Sequence, residues 1–412
     1  MAFMRRLLTI LLLGLCLVAC TQHSTYWGTL LDIESYIEER PDSALVVLEQ
    51  IDISQLSNKE EKAKHAVLLS MALDKNFVDK TDFEVLQPAI DYYEENGSTT
   101  DKLRTYYYQG CIYQNMGNKT LAMESFVKAI SEGCESNDML TMARTYFAQG
   151  TIYFSLYEWD DYIETNKNAA SYFKQAEKYN SYANCLIRII NGYTLNDDAE
   201  NALSYINECK QMLGVISDKR VADFYSAYLI YVTKYGTNQE IDSFINDYIN
   251  IITDSFKDWL TLCNAYYKIG KYEEALHATE QYRSSTNTRD ELKYKALISM
   301  IYEKTGRYEE SLRAYKEFMV VSDSTNLAIM HQDTKFVEER HNLEMAKAKE
   351  TDAKNKRTIA VLACVVALIG SILMLMIIRR RLQISRAKNR ELEVEKQRYE
   401  QLYADAVAER DA

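Results

Sequence analysis

The sequence predicts an all-α chain built from stacked helix pairs. Three observations carry this. The 412 residues hold only 2 prolines and 13 glycines against 32 tyrosines. A similar frame of residues recurs about every 40 positions, and two long apolar runs stand apart from the rest. A strand-built fold needs turns rich in Gly and Pro roughly every 8–12 residues, and the punctuation for them is missing. Hydrophobic content of 47% with 26% charged residues also excludes a wholly disordered chain.

Residues 1–20 read as an export signal. Arg5 and Arg6 precede an apolar run over 7–19 that is too short to span a bilayer. The run closes in Leu17-Val18-Ala19-Cys20, which resembles a bacterial lipobox and implies a lipid on Cys20; the alternative is an ordinary secretory signal with a coincidental cysteine. The second apolar run, 358–378, carries no charge and is bounded by Arg357 and by Arg379, Arg380 and Arg381. At about 1.5 Å per residue it covers the ~30 Å hydrocarbon core, and it reads as one transmembrane helix. Gly370 and Ser371 make no GxxxG motif in it.

The two runs fix an expected topology: residues 21–357 outside the cytoplasm, in the periplasm, and 379–412 inside, with the span in the inner membrane. Basic residues lie on both flanks of the span, so the export signal decides the orientation. The net charge is −12; the signal contributes +2 and the tail +2, so the segment between them carries about −16. An acidic segment of this size is a poor ligand for nucleic acid and is repelled by anionic lipid. Proteins or small ligands are the expected partners.

The repeat decides the architecture of residues 21–325. Tyr106-x2-Gln109-Gly110-x2-Tyr113 is followed by Ala122-x3-Phe126-x2-Ala129, and Tyr146-x2-Gln149-Gly150-x2-Tyr153 is followed by Ala169. Further on, Trp259-x2-Leu262-Cys263-x2-Tyr266 leads into Gly270-Lys271-Tyr272-Glu273-Glu274-Ala275-Leu276, which is nearly repeated from Gly306 to Leu312. These stretches resemble tetratricopeptide repeats. The small residues allow two helices of a pair to approach closely, and the rings fill the space between pairs. Gly117, Gly270 and Gly306 are expected to end first helices in a left-handed turn, and Pro41 to start a helix. About seven pairs are expected. The 40-residue period leaves HEAT-like repeats as an alternative.

No catalytic or metal-binding pattern accompanies the repeat. The five histidines are scattered without ligand spacing, and no nucleophile elbow, phosphate loop or kinase signature is present. A non-enzymatic chain without cofactor or metal is expected. Cys111, Cys134, Cys185, Cys209 and Cys263 read as free thiols at small-residue positions.

The resemblance implies that certain positions on the first helix of each pair face an inner groove. Carried onto this chain they are Arg104, Tyr107, Gln114 and Asn115; Arg144, Phe147 and Phe154; Asn184 and Asn191; Lys257, Asn264, Tyr267 and Lys268; and Lys293. Such a row suits an extended peptide, with Asn bonding its backbone, Arg and Lys meeting carboxylates and rings adding apolar contact. The alternative is a solvated groove with no ligand.

Residues 326–357 form a charged helix in which Ile329, Phe336 and Leu343 recur at seven residues, and Leu392, Tyr399 and Ala406 do the same in the tail at 379–412. A homodimer through these helices is one expectation. The order of signal, repeats, span and helical tail resembles membrane-bound repeat regulators of Bacteroidetes-type bacteria. That implies a membrane-anchored protein-binding module with a relay across the membrane, although neither a DNA-binding nor a kinase motif follows the tail. The alternatives are an envelope assembly scaffold and a glycan-binding lipoprotein.

Overall fold

The structure, a computed structural model, describes residues 23–285 and 291–410, with side chains over 23–282, 294–320, 322 and 351–400. The signal with Cys20, and the side chains of Lys293, Ile329, Phe336, Leu343 and Ala406, lie outside the described residues. The chain divides into two units, Met1–Phe336 and Val337–Ala412. No strand occurs among the described residues.

The first unit is a solenoid of helical hairpins. Its pairs are α1 (Tyr26–Tyr36) with α2 (Pro41–Glu49), α3 (Lys59–Lys75) with α4 (Gln87–Asn96), α5 (Thr99–Asn115) with α6 (Lys119–Glu132), and α7 (Met139–Ser155) with α8 (Trp159–Gln175). These are followed by α9 (Tyr179–Leu195) with α10 (Ala199–Lys210), α11 (Asp218–Tyr235) with α12 (Asn238–Ile251), and α13 (Trp259–Lys268) with α14 (Tyr272–Ser285). The last pair is α15 (Glu291–Lys304) with the first turns of α16 (Tyr308–Arg410). The described residues thus hold eight pairs, one more than the repeat spacing suggests.

Polar caps start many of these helices. Asn58, Asn118, Asp138, Asp198 and Asp258 each accept the N–H three residues on, and Ser98 with Asp101 and Thr237 with Glu240 form capping boxes. Pro41 opens α2, where its missing N–H costs nothing. The first pair is tied to the next by Glu61, whose buried carboxylate accepts the N–H of Ser57 at 2.7 Å and that of Ser24.

Close approach of helices depends on glycine. Within a pair, a Cβ on Gly110 would run into the ring of Phe126 and one on Gly150 would lie 2.7 Å from Asn166; between pairs, one on Gly192 would lie 2.7 Å from Ile163. Between pairs the fill is apolar, with Phe126, Phe224, Tyr248 and Leu186 almost fully buried. Cys185, Cys209 and Cys263 are buried free thiols, and burial pushes each up to about 12, which leaves almost no reactive thiolate.

The turn between first and second helix passes through a left-handed residue at Gly117, Gly270 and Gly306, as the sequence predicts. It does so also at Phe77, Tyr157 and Asp197, with φ of 60°, 59° and 58°. A Cβ in this conformation costs of the order of 1 kcal/mol.

The second unit is helical throughout its described residues. Within α16, the stretch 351–400 holds an apolar window of mean hydropathy 3.0 with none of it buried, long and apolar enough to cross a membrane. The uncharged run at 358–378 lies inside it.

Two substitutions separate the turn from the contact. Phe77→Gly relieves the left-handed strain of a ring that is 92% exposed and is expected to raise stability by roughly 0.5–1 kcal/mol. Gly110→Val is expected to lower it by roughly 2–3 kcal/mol through overpacking against Phe126. Thermal denaturation of the two variants beside the parent checks both signs.

Candidate functional site

The first helices of successive pairs carry the inner face, and charge decides which part of it is open. Near the N-terminus the face is filled by the chain's own ions. Glu34 on α1 pairs with Lys64 at 2.6 Å and with Arg104. Arg104 also donates through Nε to Asp138 at 2.5 Å. Just past α1, Glu38 accepts both Nη atoms of Arg144, at 2.8 and 2.7 Å, and Nζ of Lys75 at 2.7 Å. The ladder therefore joins the first pair to α3, α5 and α7.

These pairs hold their carboxylates ionised. Burial alone would raise Glu38, but the bonds and charges of Arg144 and Lys75 outweigh it and draw the group down to about 2. Glu34 and Asp138 are likewise half-buried, and likewise pulled below their ordinary values by Lys64 and Arg104 and by Arg104 and Thr141, respectively. Arg104 and Arg144 are raised still further above the usual guanidinium range by their acids, against the effect of burial. Both cations are thus engaged within the chain.

Beyond the ladder the face opens. First helices α5 and α7 come close backbone to backbone, as do α9 and α11, whereas the backbones of α7 and α9 stand further apart and their side chains share one core cluster with Ala143, Tyr182 and Leu186. Between them lies a cavity of about 410 Å³. Leu140, Arg144 and Phe147 of α7 form one wall and Ser181 and Asn184 of α9 the other, with Phe173, Lys178 and Glu38 at its margins. Arg188 bridges the two helices: its guanidinium sits 3.9 Å from the ring centroid of Phe147 and donates to the Phe147 carbonyl at 3.1 Å and to Thr151 Oγ1 at 3.0 Å. Asn184 Oδ1 accepts from Arg220 at 2.8 Å, which leaves its NH2 as a donor.

Of the sequence-predicted groove residues, the structure therefore gathers Arg144, Phe147 and Asn184 at one place. Arg104 lies in the sealed ladder. Tyr107 is buried in the core against Tyr108 and Phe126, so it is a packing residue and not a groove residue. Gln114 and Asn115 sit at the end of α5, where Asn115 donates to the Lys80 carbonyl of the preceding turn. Phe154 belongs to a ring cluster with Trp159 and Tyr162. Asn191 is partly buried on α9.

Towards the C-terminal pairs, Lys257 is tied to Asp254 at 2.6 Å and lies over the Trp259 ring. Asn264 bonds its own helix at Leu260, and Tyr267 packs on Tyr272. Lys268 is exposed.

Sequence reasoning missed Ser181, Phe173, Lys178 and the acids Glu34 and Glu38. Ser181 shares a face with Asn184 three residues on and was available to the same logic. The acids were not, because they meet Arg104 and Arg144 across 70 and 106 residues.

Comparison with known proteins agrees with the repeat. A tetratricopeptide-repeat family model matches residues 103–132 and 292–319, so the chain carries tetratricopeptide repeats in these two stretches. No curated protein matches the chain. Among solved structures it is similar to a Rap protein complexed with competence and sporulation factor and to NprR in complex with its cognate peptide NprX. Each is 15% identical with a TM-score of 0.48, over 74% of this chain and 98% of the other. It is also similar to the apo form of RapI, at 14% identity and a TM-score of 0.48, over 76% of this chain and 97% of that one.

The ladder has a pH signature. Glu38 falls from an ordinary 4.5 to about 2 in the folded chain. Its contribution is complete above pH 4.5 and is lost as pH drops from there through about 2. Glu38→Gln is expected to cost roughly 1.5–3 kcal/mol at pH 7, towards the low end because the group is partly exposed, and the gap to the parent closes towards pH 2. Denaturant titrations at several pH values test this.

Proposed function

We propose that the chain is a membrane-anchored repeat module that takes an extended segment of a protein partner into its inner face. The slot between α7 and α9 is its principal seat. The observation that carries this reading is the wider spacing of two first-helix backbones, which leaves about 410 Å³, within the ~300–1,000 Å³ typical of ligand pockets. Tetratricopeptide stretches at 103–132 and 292–319 support a binding role, since stacked helix pairs present extended concave surfaces.

The lining suggests the mode. Phe147, Phe173 and Leu140 offer apolar contact, Asn184 a donor for a peptide carbonyl, and Lys178 a cation for a ligand carboxylate. Arg144 is already satisfied by Glu38, so its role is to shape the wall. Nothing in the slot forms a nucleophile–base pair, and binding is the chemistry it suits.

Placement follows from the apolar runs. The uncharged stretch at 358–378 supports a single inner-membrane span, and the signal at 1–20 supports a periplasmic array with a cytoplasmic tail, with Cys20 as a second, lipid anchor. On this reading occupancy of the slot biases the array, and the tail reports it, as in the membrane regulators that the chain resembles.

A photo-crosslinking residue at Ser181 of the full chain in cells is expected to trap a discrete partner. Phe147→Ala with Asn184→Ala should cut that yield about tenfold, while Lys268→Ala leaves it unchanged. Equal yield from the double variant would reject the slot. Deletion of 382–412 separates relay from scaffolding: it abolishes the response in the first case and spares function in the second.

A further inference from the structure

The turns joining first to second helices pose a separate question. Phe77, Gly117, Tyr157 and Asp197 hold the same left-handed place at 40-residue intervals. The fold needs nothing but glycine there, as Gly117, Gly270 and Gly306 demonstrate. A Cβ on Gly117 or Gly306 would meet no atom within 4 Å, so a side chain at this place points into open space. Phe77 is 92% exposed and Tyr157 62%. Each residue is thus strained in its backbone; the Phe77 ring stands almost wholly in solvent, while the Tyr157 ring meets Trp159 edge-on at 5.7 Å and keeps most of its surface exposed.

The rings do not stand alone. Met116 is 52% exposed in the second turn, Phe154 44% beside the third and Leu195 44% in the fourth. Side-chain bonds hold the first turn beside the second and the third beside the fourth: Asn115 donates to the Lys80 carbonyl at 3.1 Å, and Asn196 to Asp160 Oδ1 at 3.1 Å. Exposed apolar side chains thus recur in the turns of four consecutive pairs. The flanks of this edge are acidic on balance, with Asp79, Asp160 and Asp161 exposed beside the rings. Of the bases beside it, Lys80 stands 3.6 Å from Asp82, Lys234 and Asp197 pair with each other, and Lys119 in the second turn is half-buried.

We propose that this edge of turns, apart from the inner groove, is an interaction surface for a cationic amphipathic segment of a partner protein, whose apolar side chains seat on Phe77, Met116, Tyr157 and Leu195 while its Lys and Arg meet the flanking carboxylates. Charge complementarity selects this partner over lipid. Carboxylates beside the rings are repelled by an anionic membrane surface, whereas a basic segment gains from them and from cation–π contact with the rings. The strain is then explained as well, because conformational cost at a place that packing does not require marks a site kept for contact.

The test uses the full chain in nanodiscs of zwitterionic lipid and a fluorescent amphipathic helical peptide of about 18 residues made of Leu and Lys, with a Leu/Glu peptide as counterpart. Binding of the Leu/Lys peptide above empty discs is expected, weakening between about 50 and about 300 mM salt. Phe77→Gly with Tyr157→Gly should weaken it about tenfold or more, while Phe147→Ala in the inner slot leaves it unchanged. Glycine suits the backbone at both positions; Tyr157→Gly also removes the contact with Trp159, so Phe77→Gly alone, which loses no packing, should weaken binding in the same direction, and melting curves of both variants check the fold. Equal affinity for the Leu/Glu peptide, an unchanged affinity of the double variant, or a signal no greater than that of empty discs would overturn the proposal. So would an environment-sensitive fluorophore at residue 77 that reports an apolar setting in discs before peptide is added, since that would lay the edge on lipid.

Discussion

The close approach of two helices at glycine sets the rest of the array. Phe126 lies over Gly110, Asn166 over Gly150 and Ile163 over Gly192. These contacts let the second helix of one pair, or the next first helix, sit against a bare backbone. Such a pair cannot bury its own outer faces, so each needs the next, and the pitch becomes a property of the chain. With pitch fixed, equivalent positions line up: turns beside turns, caps beside caps, first helices along one inner face. Both the slot and the edge of turns are consequences of that alignment.

Electrostatics then divides the inner face into a sealed and an open part. Lys64, Lys75, Arg104 and Arg144 would repel one another on adjacent helices, and Glu34, Glu38 and Asp138 neutralise them. Half-buried pairs of this kind contribute modestly to stability once desolvation is counted, while removal of one partner is costly. Their main effect here is positional: Glu38 draws the start of the array onto α7, at the margin of the slot.

Much of the fold is legible because its grammar is local. Gly110 and Gly150 mark close approach, Gly117, Gly270 and Gly306 mark turns, and Pro41 marks a helix start; each states a backbone requirement within a few residues of itself. The candidate site is less legible for two reasons. First helices in a solenoid pack on more than one side, so the 100° step from Tyr106 to Tyr107 stays within buried territory and does not reach the groove. Arg104 and Arg144 look like ligand-binding cations in sequence because the carboxylates that quench them are supplied from 70 and 106 residues away. Phe173 escapes for a different reason, since it enters the slot from a second helix, where the family pattern places only packing residues. The strained rings at 77 and 157 escape because turns are read through the glycines that make them easy.

The ladder also bears on what the slot can recognise. Arg144 already meets Glu38 through two parallel bonds, so an incoming carboxylate would have to displace a partner held beside it by the fold. The exchange replaces one bidentate pair by another and strands Glu38 near Lys75 alone. Its net gain is therefore small. Lys178 faces no such competition at the cavity margin, and the Asn184 amide and the rings of Phe147 and Phe173 recognise backbone and bulk, whatever the charge. On the proposed function, an array that is acidic as a whole would thus select at this opening for shape and main chain, with charge contributing at the rim.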